Sequence, residues 1–257
     1  MTAQLSGKVA VVTGGSGGLG KAIARGLVAE GAAVAIADIA EDGAAALADE
    51  LRSAGARAIA VKVDVGDPDQ VKAMVERTLQ AFGQLDILVN NAAIPTASPF
   101  IDLTLDDWQR TLRTNLTGQF LCAQAALRPM LSRSYGRIIN MASISGHRGQ
   151  DGRTAYGVSK AGVIHMTKVM AVELAGRGIV VNAIAPGPIL TDRIRERVSV
   201  EARNAYSALL PQRRYGLPEE VANAVVFLAS DACGFIAGHT LNIDGGAYAV
   251  WPAGMRT

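Results

Sequence analysis

Three side chains in the middle of the sequence have the types and spacing of a proton-transfer site. Tyr156 and Lys160 are four residues apart in a segment with helical spacing, so they share one face and the ammonium can lie near the phenol. A phenol titrates near pH 10 and is a poor base at neutral pH, but a nearby positive charge favours the phenolate. Ser143 follows a predicted strand and could hydrogen-bond a substrate oxygen while Tyr156 exchanges its proton.

A glycine-rich turn near the start of the chain has the pattern of a phosphate site. Residues 9–13 form a short β-branched apolar run, typical of a strand buried on both faces of a parallel sheet. Gly14, Gly18 and Gly20 follow, and residues 21–30 have helical spacing. The turn therefore places helix-start N–H groups and the positive end of the helix dipole beside a loop with little bulk, which suits a pyrophosphate.

An acidic residue ends the next apolar run. Residues 33–37 lead into Asp38, close to the offset at which a carboxylate binds an adenosine ribose in dinucleotide sites. A 2′-phosphate would be repelled there, and no Arg or Lys stands within residues 15–19 or beside Asp38 in sequence. The pattern favours NAD over NADP, although a helix N-cap is the alternative interpretation of Asp38.

Apolar strand-like runs alternate with helical patterns along the whole chain, which predicts an α/β fold: a Rossmann-type, doubly wound parallel sheet with helices on both faces. We expect one domain over residues 1–257, with about seven strands at residues 9–13, 33–37, 58–63, 85–89, 137–141, 179–184 and 240–243.

Two of the predicted helices have clear signals at their starts. Asp67 is a predicted N-cap, followed by Pro68 and Gln70, and the apolar face of that helix comprises Val71, Met74, Val75, Leu79 and Phe82. A second long helix is capped near Thr104, contains Asn115, and has an apolar face made of Trp108, Leu112, Leu116 and Phe120. A further helix spans residues 156–175, and one more opens at Pro218.

Residues 189–215 have no strong period and contain six Arg against three acidic residues. They follow the forced break Pro186-Gly187-Pro188. This composition fits a mobile substrate lid better than a core element.

Together these residues resemble the short-chain dehydrogenase/reductase family, and the resemblance covers nearly the whole chain. The family's motifs are present, in order and correctly spaced, as Thr13-Gly14-x-x-x-Gly18-x-Gly20, Asn90-Asn91-Ala92, Asn115, Ser143, Tyr156-x-x-x-Lys160 and Pro186-Gly187. One departure is Ala93, where the family more often has Gly. The resemblance implies that Tyr156 is the general acid/base, Lys160 lowers its pKa and binds the nicotinamide ribose, Ser143 anchors the substrate oxygen, and Asn115 holds a water in a proton relay.

The resemblance also implies a set of cofactor-binding residues. Asp64 and Val65 would meet the adenine, Asn91 and Ala92 would line the groove, and Ile189 and Thr191 would fix the carboxamide. The complete expected set is Gly14, Ser16, Gly17, Gly18, Leu19, Gly20, Asp38, Asp64, Val65, Asn91, Ala92, Tyr156, Lys160, Pro186, Ile189 and Thr191.

These observations predict reversible hydride transfer between NAD(H) and a secondary alcohol or ketone. Residues near Ser143 and Tyr156 are polar and basic, so we expect a polyol, sugar or sugar acid, with Ser145, Arg148, Gln150 and Arg193 as candidate substrate residues. The main alternative is a 3-oxoacyl-carrier-protein reductase, which would normally use NADPH. A non-catalytic NAD-binding protein is more remote, and a serine hydrolase is disfavoured because no G-x-S-x-G motif occurs.

Composition narrows the expected partners and location. The 257 residues are 49% apolar, with a formal charge of +2 and dispersed Lys and Arg, which does not suggest nucleic acid as a partner. No apolar run approaches the ~20 residues of a membrane span, and the first residues lack a signal-peptide pattern, so we expect a cytoplasmic protein. Cys122 and Cys233 read as reduced core residues, and no metal site is expected.

Self-association is the last expectation. Many members of the family are tetramers, which makes a homotetramer the expected state. Tyr248, Trp251 and Met255, beyond the last predicted strand, are apolar residues that would be awkward if exposed on a monomer, so we predict that they lie at a subunit contact.

Overall fold

The computed structural model of the chain describes residues 3–249, which form one seven-stranded parallel sheet. The strands are β1 (Val9–Thr13), β2 (Ala33–Asp38), β3 (Ala58–Lys62), β4 (Ile87–Asn90), β5 (Gly136–Met141), β6 (Ile179–Pro186) and β7 (Thr240–Ile243). Their order across the sheet is β3-β2-β1-β4-β5-β6-β7, so the order of connection reverses between β1 and β4. The predicted doubly wound fold is confirmed, and open sheets of this kind bind ligands at that reversal point.

Residues 3–249 contain nine α-helices, most of which cover the two faces of the sheet. They are α1 (Gly18–Ala29), α2 (Glu41–Ser53), α3 (Pro68–Phe82), α4 (Leu105–Leu112), α5 (Gly118–Ser132), α6 (Thr154–Leu174), α7 (Asp192–Arg197), α8 (Val200–Leu209) and α9 (Pro218–Ala229). Helix α1 packs against α2 and α9 on one face, while α3 packs on α5 and α4 packs on α6 on the other.

Every residue of strands β1 and β2 is buried, so both strands belong to the core. Their runs of Val, Ile and Ala have no polar face, as expected for strands covered by helices on both sides. Two large apolar clusters result, one under α1, α2 and α9 and one under α3 and α5. Cys122 and Cys233 are free, and the prediction that both are buried is confirmed.

The predicted start of α3 is confirmed in detail. Asp67 Oδ1 accepts hydrogen bonds from the backbone nitrogens of Asp69 and Gln70, and Gln70 Nε2 donates to Asp67 Oδ2. Thr104 likewise caps α4 through Asp107 N.

The long helix that follows Thr104 differs from the prediction. Residues Arg113–Thr117 form a π-helical turn between α4 and α5, which inserts one extra residue into the helical register. Residues beyond that turn are rotated relative to those before it, so Phe120, expected on the buried face, is 47% exposed. Asn115 instead becomes fully buried.

The segment predicted to be an irregular lid contains two helices. Helices α7 and α8 occupy most of residues 189–215, and Ser199 caps α8 through Ala202 N. Leu210, just after α8, is buried with Ile144 and Ala247. This apolar contact docks the segment on the carboxyl edge of the sheet. The sequence did not predict the contact, because residues 189–215 have no strong helical period.

Two further findings concern the described residues. No helix within residues 3–249 is long and apolar enough to cross a bilayer. In the same part of the chain, no group of three or more His, Cys, Asp or Glu side chains converges as a metal site would require.

Candidate active site

The glycine turn between β1 and α1 is packed too closely for side chains at three positions, Gly14, Gly15 and Gly20. Gly14 has a φ of +60°, and a Cβ there would lie 2.8 Å from the Cα of Ala92. A Cβ on Gly20 would overlap the carbonyl oxygen of Gly14. Gly17, by contrast, has room for a methyl group. The turn therefore brings bare backbone N–H groups to the start of α1, as a pyrophosphate site requires.

Asn91 holds this turn against β4. Its Nδ2 donates to the carbonyl oxygens of Thr13 and Gly14, both at 2.9 Å. The hydroxyl of Thr13 in turn accepts from the backbone nitrogens of Asn91 and Ala92. The Thr13, Gly14, Asn91 and Ala92 expected from the motifs are thus brought together at the point where the sheet order reverses.

Asp38 lies at the carboxyl end of β2, beside the glycine turn, and is 9% exposed. Its Oδ2 accepts from the backbone nitrogen and the hydroxyl of Ser16, at 2.9 and 2.7 Å, and its Oδ1 accepts from Ala40 N. The N-cap position of α2 is Ala40, so the alternative interpretation of Asp38 as the N-cap is wrong.

A cation that sequence neighbours did not indicate stands across from Asp38. Lys62 pairs with Asp38 in the register of β2 and β3, because parallel pairing joins residues far apart in the chain. Its ammonium lies 3.2 Å from Glu41 Oε2. Lys62 is therefore paired with a carboxylate.

Asp64 follows β3, and two hydrogen-bond donors hold its carboxylate in place. Its Oδ1 accepts from Gly66 N, and its Oδ2 accepts from Arg113 Nη2 at 2.9 Å. Val65 is buried against Gly118 at the start of α5. The two residues expected at the adenine thus lie between the end of β3 and the π-helical turn.

Ser143 and Tyr156 meet at the carboxyl edge of β5. Ser143 Oγ accepts from the backbone nitrogen of Ser145, and Tyr156 projects from the first turn of α6. Burial raises the pKa of the Tyr156 phenol above its ordinary value, while the hydrogen bond with Ser143 and the charge of Arg153 lower it. Ser143 and Tyr156 therefore lie near each other at this edge of the sheet.

Lys160 lies beneath the tyrosine and is 1% exposed. Its Nζ donates to the carbonyl oxygen of Met141 at 2.7 Å and lies 5.7 Å from the centroid of the Tyr156 ring. Burial lowers the pKa of Lys160 to about 7. The same Met141 oxygen accepts from Gln119 Nε2 at 3.2 Å, so a buried amide shares the lysine's acceptor.

Asn115 is bonded to the backbone of the strand-to-helix loop after β4. Its Oδ1 accepts from Ile94 N at 2.8 Å, and its Nδ2 donates to Ile94 O and to Ser159 Oγ. The partner that this buried amide requires is thus supplied by Ile94, a residue 21 positions earlier in the chain.

The segment after β6 closes the site from the other side. A Cβ on Gly18 would lie 3.0 Å from the Cβ of Thr191, and Ile189 pairs with Gly216 in a parallel bridge. Pro186 is the last residue of β6 and is buried. Thr191 therefore lies against the glycine turn, and Pro186 and Ile189 precede it in the same segment.

Three of the four candidate substrate residues line one cavity. Ser145, Arg148 and Gln150 border a space of about 320 Å³ beside α6. Ser145 Oγ donates to Gln150 Oε1, and Arg148 Nη1 donates to the carbonyl oxygen of Ala247. Arg193 lies apart from them, exposed on α7.

Tyr248, near the last of the described residues, touches this loop. The His147 ring lies 5.0 Å from the Tyr248 ring, and Asp244 Oδ2 accepts from Tyr248 N. Tyr248 is thus packed against the residues before α6. Trp251 and Met255, also predicted at a subunit contact, lie outside the described residues.

The chain's residues fit a dinucleotide cofactor. The glycine turn is a cradle that a Cβ would fill, Asp38 presents a carboxylate beside it, and Lys160 brings a buried ammonium to the far end of the cleft. Sequence reasoning missed Gln119 and the placement of Arg153 against Tyr156. No signal in the sequence singled out Gln119, since α5 also contains Gln124 and Arg128, and Arg153 stood among several loop cations with nothing to distinguish it.

Comparisons with known proteins agree with this geometry. The sequence model of a family described as enoyl-(acyl carrier protein) reductase matches residues 14–248. A 3-oxoacyl-[acyl-carrier-protein] reductase from Synechocystis is 44% identical over 248 residues, which cover 96% of this chain and 98% of that protein.

Solved structures give the same fold. A structure described as a "putative gluconate dehydrogenase" from Agrobacterium tumefaciens has a TM-score of 0.92 and 36% identity, covering 98% of this chain and all of that one. A short-chain type dehydrogenase/reductase from Mycobacterium marinum has a TM-score of 0.90 and 39% identity, covering 96% of this chain and 97% of that one.

The names of the relatives bear on the choice between the two expected substrate classes. Relatives from Synechocystis, Escherichia coli and others at about 40% identity are named 3-oxoacyl-[acyl-carrier-protein] reductases, which favours the alternative substrate over a polyol, sugar or sugar acid. The reaction class is unaffected, because both substrate classes undergo nicotinamide-dependent oxidoreduction. From the match over most of its length, the chain belongs to the short-chain dehydrogenase/reductase family and is an oxidoreductase that uses a nicotinamide cofactor.

Proposed function

We propose that this chain catalyses reversible hydride transfer between NAD(H) and a secondary alcohol or its ketone. The observation that carries the proposal is the convergence of Ser143, Tyr156 and buried Lys160 at the carboxyl edge of β5, next to the glycine turn. A bound nicotinamide supplies or accepts the hydride. The remaining chemistry is proton transfer and orientation, which the chain's own residues perform.

Tyr156 is the general acid/base. In the reducing direction its phenol donates a proton to the carbonyl oxygen of the substrate, and in the oxidising direction its phenolate removes the hydroxyl proton. Ser143 holds the substrate oxygen beside the phenol. Lys160 favours the phenolate by its charge and binds the nicotinamide ribose, and Asn115 orders the proton path behind Lys160. We assign the cofactor-binding roles to the residues from Gly14 to Thr191 named above.

Asp38 supports NAD(H) as the cofactor. Its carboxylate is nearly buried, is held by Ser16 and Ala40, and stands where a ribose 2′-hydroxyl would bind. A 2′-phosphate there would bring a second anion against this carboxylate. The nearest cation in the sheet register, Lys62, is already paired with Glu41.

The first candidate substrate is a 3-oxoacyl thioester. The support for it is the naming of relatives at 39–44% identity that span 96% of this chain. The names of these relatives and the position of Asp38 together suggest a 3-oxoacyl thioester reductase that uses NADH. The assay below tests that combination of substrate and cofactor.

The second candidate is a small polyol, sugar or sugar acid. The cavity beside α6 favours it, since Ser145 and Gln150 form a hydrogen-bonded pair there and Arg148 lies beside them with further guanidinium donors. The name of the Agrobacterium structure is consistent with this class. In this reading Arg148, or Arg193 after movement of α7, would pair with a carboxylate.

Absorbance at 340 nm separates these candidates. Purified protein is assayed for reduction of acetoacetyl thioester with NADH and with NADPH, and for oxidation of polyols, sugars and sugar acids with NAD and with NADP. Tyr156→Phe is the background control. Turnover of either class with NAD(H) supports the proposal and identifies the substrate, whereas turnover with NADP(H) alone contradicts the role given to Asp38.

We also propose that the chain self-associates, as a homotetramer. Several apolar side chains on α5 and α6 are exposed, among them Phe120 and Val172, the latter 78% exposed. Such side chains on neighbouring helices are typical of an interface. Sedimentation velocity at micromolar concentration tests this, and a stable monomer would contradict it.

A further inference from the structure

Two cations lie near the ring of Tyr156. The Nζ of Lys160 is 5.7 Å from the ring centroid, and the Cζ of Arg153 is also 5.7 Å from it. Lys160 follows the tyrosine by one helical turn, whereas Arg153 immediately precedes the first residue of α6. The two charges therefore come from different segments, Lys160 from within α6 and Arg153 from the loop before it.

Arg153 is fixed in place by the loop after β4. Its Nη1 donates to the carbonyl oxygens of Pro95 and Thr96, at 3.2 and 3.4 Å. Ser98 pairs with Arg153 in a parallel bridge, and Ser98 N donates to Gly152 O. Among the ion pairs of residues 3–249, none includes Arg153, so its charge is not neutralised by a carboxylate there.

We propose that the guanidinium of Arg153 is a second positive charge that stabilises the phenolate of Tyr156 and thereby sets the pH at which proton transfer operates. This inference rests on the proposed role of Tyr156 as the acid/base. Because Arg153 acts through Tyr156 and touches no reacting atom, it is a positioning residue for the proton-transfer step.

A second charge is useful because Lys160 does not keep its own charge at all pH values. Burial lowers the pKa of Lys160 to about 7, so its ammonium is partly deprotonated at neutral pH. An arginine stays protonated throughout the accessible range. The charge of Arg153 lowers the pKa of Tyr156 against the opposing effect of burial.

The other charged groups around α6 are engaged elsewhere or exposed. Arg148 donates to Ala247 O, and the His147 ring lies 5.0 Å from the Tyr248 ring. In α4 and the π-helical turn, Arg110 pairs with Asp107 and Arg113 pairs with Asp64. Asp106 and Asp151 are exposed, the latter two residues before Arg153, and Arg193 is exposed on α7. Arg153 and Lys160 are the cations within 6 Å of the ring among the described residues.

The test compares Arg153→Gln with Arg153→Lys. The measured quantity is the pH dependence of kcat/KM for alcohol oxidation, which requires the phenolate. Loss of a charge at this range shifts a pKa by about one unit, so Arg153→Gln should lose about tenfold in kcat/KM at pH 7 and approach the wild type at high pH. Arg153→Lys should retain most of the wild-type profile. Arg128→Gln removes an exposed charge on α5 and should leave the profile unchanged.

A second readout does not depend on turnover. The ultraviolet difference titration at 295 nm reports tyrosine ionisation, and the transition missing in Tyr156→Phe belongs to Tyr156. That transition should move to higher pH in Arg153→Gln. The inference is overturned if both the titration and the pH profile of Arg153→Gln match the wild type, or if kcat/KM falls equally at every pH, since that indicates a merely structural role. Retained activity in Tyr156→Phe would instead overturn the proposed function itself.

Discussion

The carboxylate of Asp38 and the hydroxyl of Ser16 are joined by a 2.7 Å hydrogen bond, and the backbone nitrogen of Ser16 donates to the same carboxylate oxygen at 2.9 Å. This relationship ties the end of β2 to the glycine turn of β1. The same carboxylate therefore holds the turn in place and is also the group that would bind an adenosine ribose.

Replacing Asp38 by Asn should weaken the preference for NAD. The variant keeps the shape of the side chain but loses the charge that disfavours a 2′-phosphate and the charge-assisted bond to a ribose hydroxyl. We expect kcat/KM with NAD to fall about tenfold or more and the ratio of NAD to NADP efficiency to narrow. Steady-state kinetics with both cofactors measures this.

Ser16→Ala is the matched control for that experiment. It removes one bond to Asp38 but keeps the carboxylate, so activity should fall while the preference for NAD remains. An unchanged cofactor ratio in Asp38→Asn would show that specificity resides elsewhere.

A methyl group added to the glycine turn should affect stability and cofactor binding differently at Gly17 and at Gly20. A Cβ at Gly20 overlaps the carbonyl oxygen of Gly14, whereas a Cβ at Gly17 meets that oxygen at 3.6 Å, an ordinary contact. We expect Gly20→Ala to abolish measurable cofactor binding and to lower stability by about 1–3 kcal/mol, and Gly17→Ala to fold normally. Titration of protein fluorescence with NADH, together with thermal unfolding, tests both variants. Equal behaviour of the two would contradict this account of the turn.

The buried ammonium of Lys160 should make stability rise with pH in the protein without cofactor. The pKa of Lys160 is about 7 in the folded chain and near 10.5 when unfolded, so between these values the unfolded chain binds more protons and stability increases with pH. The gain between pH 7 and 9 should be about 2 kcal/mol. Urea unfolding at one protein concentration measures it.

Two substitutions on α6 isolate that effect. Lys160→Met removes the titrating group and should flatten this part of the pH dependence. Lys168→Met removes an exposed lysine of the same helix and should leave the wild-type dependence in place. Parallel curves for the wild type and Lys160→Met would contradict the prediction.

The start of α9 should contribute a pH dependence of the opposite kind. Glu220 accepts from Leu217 N and pairs with Arg214 through both carboxylate oxygens, which lowers its pKa to about 2. Because the folded pKa is below the unfolded one, the stabilisation is present above about pH 4.5 and is lost as the pH falls toward 2. Glu220→Gln should lower the melting temperature by about 2 °C at pH 7, with the difference closing in acid.

Glu219→Gln provides the comparison for that measurement, because Glu219 is exposed in the same helical turn. It should change the melting temperature little at either pH. A difference between wild type and Glu220→Gln that persists undiminished at pH 2–3 would contradict the assignment.

Local signals in the sequence were sufficient for the strands, the caps and the order of the site's parts. Buried β-branched runs predict β1 and β2, and Asp67 with Pro68 and Gln70 predicts the start of α3, because these signals act within a few residues. Tyr156 and Lys160 could be paired from the sequence alone because helical geometry fixes residues four apart on one face.

Tertiary structure decided what depends on contacts between distant segments. The π-helical turn that buries Asn115 and exposes Phe120 is stabilised by Ile94 from another loop, and the docking of α8 depends on Leu210 meeting Ile144 and Ala247. Lys62 stands across from Asp38 because β2 and β3 pair in parallel register. Arg153 is held near Tyr156 by carbonyl groups of a loop far away in the chain. Such pairings cannot be predicted from composition or periodicity, because the interaction free energies of the pairs arise only when the distant segments come into contact.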